Sequence, residues 1–192
     1  MPQKTVVAIS GSPSPASKTS LLADYTLAKL AGDDIAVEHF RLTELDPAAL
    51  LLAKWDDPGI KAYIAKIEAA DGVVVATPIY KAAYSGLMKT ALDILPQFGL
   101  AGKVALPLAT GGSLAHVLAL DYAVRPVLQS MGVRHVVQSC FVCEADIIRE
   151  NGGFALSPAT DAMLDAALEN FRHSLLHPVE GATLGHPRPH EA

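Results

Sequence analysis

The sequence predicts a doubly wound α/β protein, a three-layer sandwich with helices on both faces of a five-stranded parallel sheet. Short runs of apolar, often β-branched residues recur along the chain and are apolar throughout, as in strands buried on both faces. Segments with helical spacing of apolar residues separate these runs. The separations are too long for hairpins, so parallel pairing through crossover helices is favoured.

Each predicted strand is an apolar run that ends in turn-forming residues. The strongest of them contains three consecutive valines, Val73 to Val75, and ends at Pro78. In chain order the predicted strands are Val6–Ile9, Ile35–Phe40, Gly72–Pro78, Val104–Ala109 and Val133–Val142.

The helices are predicted from apolar residues that recur every three or four positions. Pro58 suits the first turn of the second helix, and Pro96 stops the third. In chain order the predicted helices are Ser20–Leu30, Pro58–Ala69, Tyr84–Leu95, Leu114–Met131 and Ser157–Leu176. We expect residues 1–176 to form a single domain, and residues 177–192, which have no periodicity, to be a frayed tail.

Composition excludes several classes of protein. Of 192 residues, 51% are hydrophobic and 18% are charged, which excludes intrinsic disorder. The net charge of -5 disfavours nucleic-acid and membrane-surface partners, and no apolar run approaches the roughly 20 residues that span a bilayer. Two cysteines are too few for disulfide bonds to stabilise a chain of this size, and no signal peptide is evident. We therefore expect a cytoplasmic protein.

The loop after the first strand, Gly11–Ser20, has the composition of a phosphate site. It supplies hydroxyls and backbone N–H groups at the start of a helix, and it contains no acidic residue. The simpler alternative is that serine and threonine only cap the helix.

Other phosphate-binding devices do not fit this loop. A P-loop needs glycine and lysine where Ala16 and Ser17 stand. A phosphatase nucleophile would have to be a cysteine in the loop, whereas Cys140 and Cys143 lie far along the chain. The loop also lacks the G-x-G-x-x-G pattern of the dinucleotide-binding fold.

Two further loops follow the third and fourth predicted strands. Residues 77–86 place Tyr80, a flat ring, after Pro78; the alternative is a turn whose tyrosine packs on the next helix. Residues 109–113 contain a Gly-Gly pair that allows backbone to approach a ligand closely. Because ligands of such sheets bind at the carboxyl ends of the strands, these loops together predict a mononucleotide with a planar ring, such as FMN in a flavodoxin-like site.

Four segments resemble the NAD(P)H-dependent FMN reductase family. They are G-S-P at 11–13, S-K-T-S-L at 17–21, T-P-I-Y-K-A-A-Y-S-G-L-M-K-T at 77–90 and L-P-L-A-T-G-G-S-L-A-H at 106–116. Within that family the chain is most similar to the flavin reductases of two-component alkanesulfonate monooxygenase systems.

The resemblance implies a flavodoxin-like fold and reduction of FMN by NADPH or NADH. It also implies that a partner flavin-dependent monooxygenase receives FMNH2 for desulfonation of organosulfonates, and that the chain forms a homodimer or homotetramer. By the same resemblance, the phosphate end of FMN is held by Ser12, Ser17, Thr19, Ser20 and Leu21. The ribityl chain and ring are lined by Pro78, Ile79, Tyr80 and Lys81, and the isoalloxazine edge by Thr110, Gly111, Gly112 and Ser113.

The chemistry implied by the resemblance requires no catalytic side chain. Hydride transfer from a nicotinamide to a flavin needs stacked rings and backbone donors rather than a nucleophile or an acid–base residue. Two alternatives on the same fold remain open: an FMN-retaining quinone or azo reductase, and a one-electron carrier resembling flavodoxin. The sequence does not decide between NADPH and NADH.

Two features lie outside these loops. Pro126 must kink or unwind the fourth predicted helix, and in the reductases that this chain resembles, a residue matched by Tyr122 forms a π-helix at a tetramer interface. We interpret Tyr122 as an interface residue that influences flavin transfer, against the alternative of an ordinary buried tyrosine. We interpret Cys140 and Cys143 as buried, inert thiols on opposite faces of a strand, and we expect no metal site.

Overall fold

The structure, a computed structural model, describes residues 2–149 and 154–178. Nearly the whole of the predicted tail, residues 177–192, lies outside the described residues. The strands are β1 (Lys4–Ser10), β2 (Ile35–Arg41), β3 (Gly72–Tyr80), β4 (Ala83–Tyr84), β5 (Val104–Gly111), β6 (His135–Val136), β7 (Cys140–Cys143), β8 (Ile147–Ile148) and β9 (Ala155–Leu156). The α-helices are α1 (Lys18–Leu30), α2 (Pro47–Leu51), α3 (Pro58–Ala69), α4 (Gly86–Asp93), α5 (Arg125–Ser130) and α6 (Pro158–Leu176).

The central sheet has the order β2-β1-β3-β5, with β6 and β7 both beside β5. All of these pairings are parallel, and the longest register runs from Gly72 opposite Val104 to Pro78 opposite Thr110. This confirms the predicted doubly wound, flavodoxin-like sheet. Short β4 pairs antiparallel with β3, and β8 and β9 form a separate pair.

The fifth predicted strand, Val133–Val142, is interrupted in the structure. It is divided into β6 and β7, which contact different parts of β5. At the interruption, Arg125 donates hydrogen bonds to the carbonyls of Val136 and Val137, at 2.8 and 3.1 Å. A side chain therefore binds backbone acceptors that a longer strand would keep for pairing.

The fourth predicted helix, Leu114–Met131, is also divided. The structure has a 3₁₀ turn at Leu114–His116, a π-helical turn at Leu120–Val124 and then α5. The π-helical turn continues directly into α5, since the Arg125 N–H bonds the Leu120 carbonyl, and Pro126 in the first turn of α5 has no N–H to donate. The predicted change in winding thus occurs just before the proline, as a π-helical turn, and the helix continues through it.

The core fills both faces of the sheet. Along β1, Val7 and Ile9 pack toward α3, α4 and α5, whereas Val6 and Ala8 pack toward α1 and α6. This alternation follows from the period of two in a strand. Both faces are apolar because both are covered by helices, which explains why the strands read as continuous apolar runs.

In the part of the chain that the structure describes, no helix combines the length and the apolar character needed to cross a bilayer.

A substitution at Gly72 tests how closely β3 packs against α6. A Cβ at this position would lie 2.8 Å from Cζ of Phe171 and 3.1 Å from Cδ1 of Leu175. We expect Gly72→Ala to lower the free energy of unfolding by about 1–3 kcal/mol, since a packed core resists added volume. The urea midpoint at an unchanged slope measures this effect.

Gly86→Ala is the matched control for that substitution. Gly86 has no atom within 4 Å of the added Cβ and begins α4, so the change should leave the unfolding free energy within about 1 kcal/mol of the original or raise it. Equal midpoints for the two variants would contradict the packing described here.

Candidate functional site

The loops after β1, β3 and β5 line one cleft of about 250 Å³, hereafter the loop cleft. They meet because parallel strands bring their carboxyl ends to the same edge of the sheet. The lining residues are Ser12, Ser14, Ala16, Ser17, Lys18, Thr19, Pro78, Ile79, Tyr80, Thr110 and Glu144.

The predicted site residues divide into three groups. Those that line the loop cleft are Ser12, Ser17, Thr19, Pro78, Ile79, Tyr80 and Thr110. Ser20 and Leu21 line a neighbouring cleft instead. Lys81, Gly111, Gly112 and Ser113 are among the lining residues of neither cleft.

The start of α1 has features of both a helix cap and a phosphate site, the two interpretations of loop 11–20. Ser17 is the N-cap of α1, and its Oγ accepts a hydrogen bond from the Ser20 N–H at 2.9 Å. The first turn contains no acidic residue, so the positive end of the helix dipole is not offset within the helix. The hydroxyls of Ser12 and Thr19 lie in the same cleft and do not cap the helix.

A buried hydrogen bond joins the first loop to the third. The hydroxyls of Thr19 and Thr110 lie 2.6 Å apart, and the two residues are only 2% and 4% exposed. Each hydroxyl satisfies the other, so neither is an orphaned polar group in the core. This contact fixes the start of α1 against the end of β5.

The second loop is a tight hairpin between β3 and β4. Tyr80 pairs with Ala83, so Lys81 and Ala82 form a two-residue turn, with φ of 50° and 63°. Such turns need positive φ at both central positions, a conformation that is strained for residues other than glycine. Tyr80 remains 49% exposed at the cleft rather than packed away on the next helix.

The two glycines of the third loop have different roles. A Cβ on Gly111 would lie 2.8 Å from Cζ of Phe141, so its missing side chain serves core packing. Gly112 is exposed, and a Cβ there would meet no atom within 4 Å. The open space therefore lies beside Gly112 alone.

Glu144 lies in the cleft but was not predicted. It follows β7, and its carboxylate accepts a hydrogen bond from Lys18 Nζ at 2.8 Å. Ligands of such sheets bind at the carboxyl ends of the strands, and the fifth strand is no exception, so the position of Glu144 was available from sequence. Its ion pair with a residue 126 positions away was not.

Tyr122 lies on the π-helical turn and is 79% exposed, which excludes an ordinary buried tyrosine. Its neighbours in sequence Leu114 and Leu118 are 66% and 56% exposed. An exposed apolar group of this kind is typical of an interface. The interface role of Tyr122 stays a prediction.

Cys140 and Cys143 pack on opposite faces of the sheet, as expected for positions three apart in a strand. Both thiols are free; Cys140 is buried as expected, whereas Cys143 is only partly buried because it lies at the end of β7. Burial raises the pKa of Cys140 to about 12, and burial together with Asp146 raises the pKa of Cys143. Neither is poised as a nucleophile, because the thiolate is the reactive form.

Among residues 2–149 and 154–178, no three or more histidine, cysteine or carboxylate side chains are grouped so that they could hold a metal ion.

The loop cleft has the features that a phosphorylated planar ring requires. A helix N-terminus and clustered hydroxyls lie at one end, and Pro78 and an exposed aromatic ring form one wall. These features fit FMN. Fold and cleft together define a flavodoxin-like, mononucleotide-binding protein.

Comparison with known proteins is more specific. Residues 5–146 match the family of NADPH-dependent FMN reductases, and the chain belongs to that family. It is an oxidoreductase for which FMN and a nicotinamide coenzyme are the cofactors.

Individual relatives cover most of the chain. An "FMN reductase (NADPH)" of Escherichia coli is 43% identical, over 88% of this chain and 89% of its own. A protein of the same description from Pseudomonas putida is 37% identical over 96% and 90%. The crystal structure of an apo NADH:FMN oxidoreductase has a TM-score of 0.87 and 50% identity, covering 97% of this chain and 98% of its own.

The Thr19–Thr110 hydrogen bond is tested by Thr110→Val, which keeps the shape of the side chain and removes its hydroxyl. We expect the free energy of unfolding to fall by about 1–3 kcal/mol, because the Thr19 hydroxyl is left buried without its partner. Chemical denaturation of Thr110→Val, Thr19→Val and the double variant completes a double-mutant cycle. A double variant whose loss equals the sum of the single losses would show that the two hydroxyls do not interact.

The thiols are tested by alkylation with iodoacetamide, located by mass spectrometry. At pH 8 the native protein should leave Cys140 unlabelled, since a pKa of about 12 keeps it protonated. Its labelling should rise as the pH is raised, and both thiols should react once the chain is unfolded in urea. A Cys143→Ser variant isolates Cys140; rapid labelling of that native variant at pH 8 would contradict the burial described.

Proposed function

We propose that this chain binds FMN as a substrate, reduces it with NAD(P)H and passes FMNH2 to a partner flavin-dependent monooxygenase that desulfonates organosulfonates. The observation that carries the release step is the size of the loop cleft, about 250 Å³. Sites that enclose a ligand usually measure about 300–1,000 Å³. A flavin seated here keeps much of its ring exposed, which favours both access of the coenzyme and release of the product.

The predicted contacts along FMN follow from the placement of the loops. The phosphate lies at the N-terminus of α1, beside the hydroxyls of Ser12 and Thr19. The ring lies against Pro78 and Tyr80, with its edge toward Thr110 and the space beside Gly112. Ser20, Leu21, Lys81, Gly111 and Ser113 are proposed, from the family resemblance, to complete these contacts.

The reaction that this site supports is transfer of a hydride from the nicotinamide to the flavin ring. When bound, FMN supplies the electron-accepting ring. The chain orients that ring by backbone and hydroxyl contacts, and leaves one face open for stacking of the coenzyme. The orientation depends on the Thr19–Thr110 bond, which fixes the distance between the phosphate end and the ring end of the cleft.

The proposed assembly is a homodimer or homotetramer in which Tyr122 contacts another copy of the chain. A side chain that is 79% exposed on a π-helical turn supports this role. Turns of that kind frequently mark functional positions in helices.

The proposed activity is tested by following oxidation of NAD(P)H with and without added FMN. Steady oxidation should depend on added FMN, and the purified protein should lose its yellow colour on gel filtration because the cleft is open. A protein that stays yellow and oxidises NAD(P)H with a quinone or azo dye, without added FMN, would support the retaining reductase instead. A protein that oxidises no NAD(P)H would support the electron carrier.

A Gly112→Val variant tests whether FMN binds beside the third loop. The added side chain occupies the open space beside the loop, so the KM for FMN should rise at least about tenfold. Its urea midpoint should not change, since the substituted atoms meet no neighbour within 4 Å at Cβ. Gly86→Ala, which lies outside the loop cleft, serves as the control for the effect on KM.

The interface role is tested by Tyr122→Ala, with Tyr122→Phe as the control that retains the ring. We expect the alanine variant to form smaller assemblies in analytical ultracentrifugation and to release flavin at a different rate, because an apolar ring is removed from the subunit contact. The phenylalanine variant should keep the original mass. An unchanged mass and release rate in Tyr122→Ala would reject the role.

A further inference from the structure

A second cleft, of about 320 Å³, lies next to the loop cleft and shares Ser17, Ser20 and Leu21 with the predicted flavin contacts. We call it the arginine cleft. Its lining residues are Ser14, Pro15, Ala16, Ser17, Ser20, Leu21, Asp24, Arg41, Thr43 and Arg149. Ser14, Ala16 and Ser17 line both clefts, so a single stretch of loop separates them.

Two guanidinium groups give this cleft its chemistry. Arg41 ends β2, and its Nη2 donates to both carboxylate oxygens of Asp24, at 2.9 and 2.8 Å. Arg149 is exposed, and its Nη2 donates to the carbonyl of Ala16 at 3.1 Å. A guanidinium carries five N–H donors, so both groups keep donors for a ligand.

Arg149 supplies the positive charge of the cleft, because Arg41 is paired with two carboxylates, that of Glu44 at 3.9 Å and that of Asp24 at 2.8 Å. One oxygen of the Asp24 carboxylate also contacts Nδ1 of His39 at 2.7 Å, so histidine and arginine together hold it. Nε2 of His39 in turn contacts Ser10 Oγ at 2.8 Å, which accepts a hydrogen bond from Ser20 at 3.1 Å. Ser10 is only 1% exposed, so this Ser-His-Asp arrangement has no accessible nucleophile; it fixes the carboxylate in place.

The position of the arginine cleft fits one part of the coenzyme. A nicotinamide that stacks on the flavin in the loop cleft carries an adenosine half that must lie in adjacent space. NADPH and NADH differ in a single group, the phosphate on the adenosine ribose. The relatives of this chain are described with both coenzymes, so family membership leaves the choice open.

We propose that the arginine cleft binds the 2′-phosphate of NADPH, with Arg149 as the residue that selects NADPH over NADH. The inference rests on the proposed function, because it presumes that the nicotinamide reacts in the loop cleft. Guanidinium groups bind phosphate through paired N–H donors, and such charge-assisted bonds are stronger than neutral ones. Arg41, held by Asp24 at the end of β2, supplies further N–H donors.

The kinetic test compares kcat/KM for NADPH and NADH in the original chain, Arg149→Gln and Arg172→Gln. Arg172 is the matched control, since its guanidinium binds Asp34 and the Leu30 carbonyl at the other end of α1. The original chain should prefer NADPH, and Arg149→Gln should lower kcat/KM for NADPH by about 10- to 100-fold. Its value for NADH should change by less than about twofold, and Arg172→Gln should keep the original preference.

A binding test needs no turnover. In calorimetry on the flavin-free protein, adenosine 2′,5′-bisphosphate should bind more tightly than adenosine 5′-monophosphate, and Arg149→Gln should abolish the difference. Equal binding of the two nucleotides by the original chain would overturn the proposal, as would an equal loss of both coenzymes in the variant. A third result would also overturn the proposal: Arg149→Gln weakens binding of FMN but not of riboflavin, and leaves the coenzyme preference unchanged. The arginine would then bind the flavin phosphate. Failure of the proposed function gives a different result, namely no FMN-dependent oxidation of either coenzyme.

Discussion

Parallel hydrogen bonding among β1, β3, β5 and β7 is the constraint on which the rest of the structure depends. Because these strands run in the same direction, all four end at one edge of the sheet. Their last residues are Ser10, Tyr80, Gly111 and Cys143. Loops that are distant in sequence, from Ser12 to Glu144, therefore share a cleft. Helices cover both faces of the sheet, so a ligand can bind only at its open edge.

The two clefts are built around one short stretch of chain. Residues 12–17 separate them, and the first turn of α1 lies at their junction. The Thr19–Thr110 bond holds this turn against β5, and the bond from Ser20 to Ser10 holds it against β1. The proposed sites for the flavin phosphate and for the coenzyme phosphate therefore adjoin the same first turn of α1.

The divided fourth helix and the divided fifth strand have a connected cause. The π-helical turn continues into α5 just before Pro126, and there the guanidinium of Arg125 reaches the carbonyls of Val136 and Val137. Those carbonyls lie at the gap between β6 and β7. The preceding residues form the π-helical turn that exposes Tyr122, so a single proline accompanies both the break in the sheet edge and the exposed apolar turn.

The amino-acid sequence alone determined the layer architecture and the three loops of the site, because apolar periodicity and strand-terminal Gly, Pro and Ser are local signals. It also indicated the unwinding near Pro126, since a missing N–H acts within one helical turn. Only the tertiary structure decided which glycine faces open space, because Gly111 and Gly112 differ solely in their distance from Phe141. The same holds for the Lys18–Glu144 pair, the His39–Asp24–Arg41 contacts and the arginine cleft. Each joins residues separated in sequence by at least 15 positions, and such proximity is set by strand order and register rather than by any local pattern.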